Sequence, residues 1–141
     1  MGLFKRTAAC LVGMALLFST AAAETTLHFT FAGDCTLGSE EAKRKQATSF
    51  DSVITEKGYD WPFANMQELF QNDDLTVVNL EGVLSDSNRN ENKDKTYRFR
   101  GPTAFVDILT RSGIEAVNLA NNHTQDFGKQ GFTSTQQTLD A

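Results

Sequence analysis

Three short apolar runs, each stopping at a polar cluster, constrain this chain more than any other feature. Thr26–Ala32 alternates, with Leu27, Phe29 and Phe31 on one face, and stops at Gly33-Asp34. Leu75–Leu80 is short and β-branched and stops at Glu81-Gly82. Ile114–Leu119 stops at Ala120-Asn121-Asn122-His123. Period-2 alternation and brief β-branched runs bounded by turn residues read as strands.

Helical patterns separate them. Asp60-Trp61-Pro62 reads as a helix start, with Asp60 as N-cap and Pro62 in the first turn, where its missing N–H costs nothing. Phe63, Met66, Leu69 and Phe70 follow at helical spacing as core contacts, and Asn72-Asp73-Asp74 ends the segment. A second helix follows Gly101-Pro102, with Phe105, Ile108 and Leu109 as its stripe and Gly113 as C-cap. A turn through Gly128 and Gly131 leads to a third, Phe132–Leu139. Ser39–Lys57 reads as a polar connection with helical turns, and Ser85–Lys95 as an exposed loop. The alternation predicts an α/β fold with mainly parallel strands joined by helices.

In such sheets functional groups gather beyond the carboxyl ends of the strands. The groups placed there are Asp34, then Asn79 and Glu81, then Asn121, Asn122 and His123. Carboxylate and amide oxygens suit Mg2+, Mn2+ or Ca2+, and an imidazole extends the range to Zn2+ and Fe2+. Each residue also has a plainer reading. Asp34 and Asn121-Asn122 suit turns, Glu81 suits a solvated strand end, and Cys35 suits a small packed side chain. Arg100 and Asp126 stand as partners of the ligating or reacting groups, or as ordinary surface pairs.

Phe31-Ala32-Gly33-Asp34-Cys35-Thr36-Leu37-Gly38, Val77-Val78-Asn79-Leu80-Glu81-Gly82, Phe99-Arg100-Gly101-Pro102 and the block from Ala116 through Asn121-Asn122-His123 to Gly128 together resemble the CapA family. This is the bacterial capsule and poly-γ-glutamate synthesis family, similar to calcineurin-like metallophosphoesterases. The resemblance implies a metallophosphoesterase-like α/β sandwich with a two-metal centre. It implies Asp34, Glu81 and Asn122 as metal ligands, His123 as the catalytic group, and Asn79, Asn121, Arg100 and Asp126 beside them or on the substrate. It implies divalent ions (Mn, Mg, Fe or Zn) as cofactors, and an anionic capsule polymer or its synthesis machinery as partner. Two positions depart from the phosphoesterase pattern: Thr36 stands where a His is expected, and Glu81 where the pattern has Gly-Asp. The later histidine motifs lie outside this sequence, so the expected unit is the N-terminal part of a longer domain, its C-terminal part missing.

The resemblance leaves three functions open. One is synthesis, export or attachment of capsule polymer. Another is metal-dependent hydrolysis of a phosphoester or amide, and the third is non-catalytic polymer binding. Location is read from the N-terminus. Lys5 and Arg6, an uncharged apolar run from Ala8 to Phe18, and Ala21-Ala22-Ala23 form a signal-peptide pattern over residues 1–23, leaving 24–141 as the folded unit. The expectation is an exported protein, extracellular, periplasmic or envelope-associated, with membrane association if the segment stays uncleaved. Cleavage removes two of the 13 basic residues against 18 acidic ones, and a chain that acidic is not built to hold nucleic acid. Cys35 is the one cysteine beyond Ala23, so no intrachain disulfide braces the folded unit and a hydrophobic core must hold it.

Overall fold

The computed structural model describes residues 24–141, and the expected signal segment lies outside the described residues. Two small sheets carry the fold. The first has β1 (Phe29–Thr36), β3 (Leu75–Glu81) and β6 (Ala116–Asn118) in the order β1-β3-β6, all parallel. The second has β2 (Ser39–Glu40), β5 (Phe99–Gly101) and β4 (Val83–Leu84) in the order β2-β5-β4. β2 runs antiparallel to β5, and β4 runs parallel to it. The helices are α1 (Phe50–Lys57), α2 (Gln67–Gln71), α3 (Val106–Ser112) and α4 (Gly128–Leu139). The architecture is the α/β alternation that the apolar runs predict.

The first sheet is covered on one face. Thr76, Val78 and Leu80 alternate with half-buried neighbours along β3 and point into the core, where Ile54, Phe70, Ile108 and Leu109 pack against them. Phe105 anchors the aromatic part of this core, with Phe50 and Tyr59 meeting it edge to face at 5.7 and 5.9 Å between ring centroids. The opposite face carries Phe29, Phe31, Leu75, Val77 and Ala116, and here Phe29 is 53% and Phe31 73% exposed.

Several local expectations change. β1 begins three residues later than the alternation suggests and runs through Gly33-Asp34 to Thr36. Leu27, Phe29 and Phe31 do share an apolar pattern, but that face is exposed. The helix expected from Asp60 is reduced to α2, because residues 60–66 form successive turns. Phe70 enters the core and Phe63 packs on it at 5.8 Å, whereas Met66 and Leu69 are exposed. The connection from Ser39 to Lys57 holds β2, a 3-10 turn and α1, which Ser49 caps by accepting from the Ser52 N–H. α4 starts at Gly128, ahead of the expected Phe132, so Gly131 lies inside it, where a Cβ would stand 2.7 Å from the Phe127 Cβ. Gly113 caps α3 in the left-handed conformation, as expected.

Candidate functional site

A single irregularity in β1 assembles the polar row. Phe31 is level with Val77 of β3, so a regular strand would bring Gly33 level with Asn79. The register instead shifts between Phe31 and Asp34, and Asp34 becomes the partner of Asn79. The extra residue of this bulge turns Asp34 onto the uncovered face, whereas simple alternation would point it into the core. Asn79 is in turn level with Asn118 of β6, so one row of polar side chains crosses all three strands. Two residues on, Thr36 and Glu81 form a second row on the same face, and the Thr36 hydroxyl donates to Glu81 Oε2 at 3.1 Å.

Carboxamides lock the first row. Asn79 Nδ2 donates to Asp34 Oδ1 at 2.6 Å. Asn79 Oδ1 accepts from Asn118 Nδ2 at 3.0 Å and from Asn121 Nδ2 at 3.1 Å. Two donors on one oxygen fix which way the Asn79 amide faces, and its NH2 must then meet Asp34. Asn121 also donates to the Leu80 carbonyl at 2.9 Å, and its Oδ1 accepts from the His123 N–H at 2.9 Å. The loop after β6 is thereby tied to the end of β3.

His123 is buried, and its ring is held from two sides. Nδ1 lies 2.7 Å from Asp126 Oδ2, and the ring meets Phe99 edge-on at 4.7 Å. Asp126 is fully buried and also accepts from the Phe99 N–H at 2.8 Å and from the Lys95 ammonium. A buried carboxylate needs such compensation. With Nδ1–H donating to Asp126, the second nitrogen, Nε2, faces Glu81 Oε1 at 3.5 Å. That separation supports attraction to an imidazolium but is long for a hydrogen bond. An imidazole held in one tautomer by a carboxylate can exchange a proton at its free nitrogen.

The other expected residues lie differently. Asn122 is exposed, and its backbone carbonyl accepts from Lys95. Its side chain is not joined to the hydrogen bonds of the polar row. Arg100 is buried in another network, with Nε and one terminal nitrogen on Glu41 at 3.1 and 3.0 Å, the other on the Ser85 carbonyl at 2.7 Å, and its carbon 5.5 Å from the Phe127 ring centroid. That network braces β5 against the turn after β2. Cys35 is buried, and burial pushes its thiol up to about 12. Three contributors were not singled out from sequence: Asn118, Thr36 as a partner of Glu81, and Lys95. Asn118 sits two residues before Ala120 in the same motif, so its place could have been read once the strand register was known.

Carboxylate, carboxamide and imidazole groups at the strand ends match a divalent cation in ligand type. Among the described residues no three His, Cys, Asp or Glu side chains converge on a common point.

The sequence profile of the family described as bacterial capsule synthesis protein PGA_cap matches residues 28–141. The chain is 26% identical over 112 residues to the PGA biosynthesis protein CapA of Bacillus subtilis (strain 168), covering 79% of this chain and 27% of that protein. It is 27% identical over 85 residues to the capsule biosynthesis protein CapA of Bacillus anthracis, covering 59% of this chain and 21% of that protein. The chain thus spans about a quarter of the length of these relatives.

Proposed function

Since the chain belongs to the PGA_cap family of bacterial capsule synthesis proteins, we propose that it acts at the cell envelope in synthesis, export or attachment of an anionic capsule polymer such as poly-γ-glutamate. The observation that carries this reading is the joined strand-end site. The Asp34–Asn79–Asn118 row and the Asp126-held His123 are organised by the residues in which the chain resembles its family. The signal-peptide pattern supports an exported location, with a membrane-held form if residues 1–23 are retained. Among the described residues no helix is long and apolar enough to cross a membrane.

The test is genetic and chemical together. Deleting the gene should lower cell-bound capsule polymer, and restoring it with His123→Ala should fail to recover the amount. Unchanged polymer amount and attachment after deletion would remove the reading.

A second reading, metal-dependent hydrolysis, is favoured by the orientation of His123. Asp34 and Glu81 would hold the ions, with Asn79 and Asn121 fixing Asp34 and the loop. When bound, divalent ions polarise a phosphoryl or carbonyl oxygen and ease ionisation of water. The chain's own part is to keep Nε2 of His123 facing the strand ends as a proton donor or acceptor, with Asp126 holding the other nitrogen. Mn2+ titration followed by paramagnetic broadening should affect Asp34 and Glu81 first. Broadening spread evenly over the acidic surface would count against an ion site.

A further inference from the structure

The segment Ser85–Lys95 reads from sequence as an exposed loop, yet its last residue reaches the strand-end site. The Lys95 ammonium donates to the Asn122 carbonyl and to Asp126 Oδ1. It therefore grips the chain on both sides of His123, at the residue before it and at the carboxylate three residues after it. The Lys95 side chain is 28% exposed and that of Asp126 not at all, so this contact lies largely out of water, where salt screens it little.

The loop holds Lys95 ready for that contact. The Asn92 N–H donates to the Asp126 carbonyl at 2.8 Å, and the Lys95 N–H donates to the Asn92 carbonyl at 3.3 Å. On the other side, Arg98 pairs with Glu91 at 2.8 Å and donates to the carbonyls of Lys95 and Thr96. The main chain around Lys95 is thus tied down before its side chain is counted. A long, flexible side chain loses conformational freedom in any fixed contact, and a fixed backbone leaves less to lose.

The consequence falls on the imidazole. Asp126 Oδ2 meets His123 Nδ1 at 2.7 Å and accepts the Phe99 N–H at 2.8 Å. A carboxylate held at one oxygen can still swing about its own bond. With Lys95 on Oδ1, both oxygens of Asp126 are held, and the ring that leans on Oδ2 is held with them. We propose that Lys95 is a positioning residue for His123: it fixes the Asp126 carboxylate so that Nε2 stays turned toward Glu81 and the strand ends. This role rests on the reading that puts His123 to work there. It adds a residue from a loop outside the three strand-end motifs. If Lys95 served only to balance a buried charge, its loss would lower stability and leave the Nδ1 contact as it was.

The test follows the Nδ1 proton of His123 in the full chain labelled with 15N-histidine, with His28→Gln assigning the other histidine. The wild-type protein should show a far-downfield Nδ1–H resonance that Asp126 protects from exchange. Lys95→Met keeps most of the side-chain length and removes the charge. It should abolish the resonance or speed its exchange by at least about tenfold, the effect of losing one charge-assisted contact. Lys95→Gln, with an N–H donor and no charge, should do the same and serves if Lys95→Met does not fold. Lys95→Arg should restore the resonance, because it returns the charge. Asp86→Asn loosens the other end of the loop from Thr103 and should leave the exchange rate within about twofold. A resonance equally protected in Lys95→Met or Lys95→Gln would overturn the role. So would its absence from the wild-type protein, or an equal loss in Asp86→Asn. Loss in Lys95→Met together with full polymer recovery by His123→Ala in the deletion strain would instead strike the functional reading and leave the hold on His123 standing.

Discussion

Asp126 joins three elements through one carboxylate: the imidazole of His123, the first N–H of β5 and the ammonium of Lys95 from the long loop. Asp126→Ala leaves those donors facing a dry pocket, and a broken buried pair is costly. The expected destabilisation is about 3–5 kcal/mol in urea unfolding. A second residue-scale expectation concerns acid. The Thr103 hydroxyl, then the Thr103 N–H, hold Asp86 below its ordinary value of 3.8, with the charges of Arg100 and Arg44 adding to the effect. A carboxyl lowered in the fold contributes stability that is present above the unfolded value and lost as pH falls through the folded one. The wild-type protein should therefore lose stability below pH 3.8 more steeply than Asp86→Asn, read as thermal midpoint against pH. Equal slopes would mean that the Thr103 contacts do not persist in solution.

At the scale of elements, the second sheet depends on backbone approaching backbone. A Cβ on Gly101 would stand 2.2 Å from the Leu37 carbonyl oxygen, and one on Gly38 would stand 2.4 Å from the Arg100 carbonyl carbon. Gly101→Ala should therefore cost at least about 1–3 kcal/mol by overpacking against main chain that cannot swing away. A neutral result in denaturant titration would require β5 to shift without loss. Elements also show what could be read in advance. β3 and α3 were legible because β-branched residues, an apolar stripe and a terminal glycine agree with their tertiary setting. Residues 60–66 kept a helical spacing of apolar residues but were folded as turns, and Met66 and Leu69 lost the burial their spacing implied. The two-residue strands β2 and β4 are too short to show a period at all. The candidate site was legible in its residue types, since Asp34, Asn79, Glu81 and His123 stand at strand ends as their motifs suggest. The device that joins them was not. A bulge is a register property, visible only when two strands are laid side by side. Likewise, nothing in the spacing of Arg100 pointed to Glu41, 59 residues away.

Taken together, residues 24–141 leave one face of the first sheet uncovered, and that face should govern their behaviour in solution. Leu27, Phe29 and Phe31 are more than half exposed, and β1 lies at the edge of its sheet. An apolar face beside an open edge invites association. The described chain should show concentration-dependent sedimentation, and Phe31→Lys should suppress it. Concentration-independent sedimentation of the wild-type protein would show that this face is harmless. The same fold also contains a timekeeper. Cys35 alternates with the polar row and points the other way, into the core, where its thiol is pushed up to about 12. A thiol both covered and uncharged at neutral pH reacts with an alkylating reagent only while its strand is open. With Cys10 replaced by serine, the labelling rate of Cys35 thus counts openings of β1, the strand that carries Asp34 into the site. Any substitution or bound ion that steadies the strand-end groups should be registered one residue away as a slower clock.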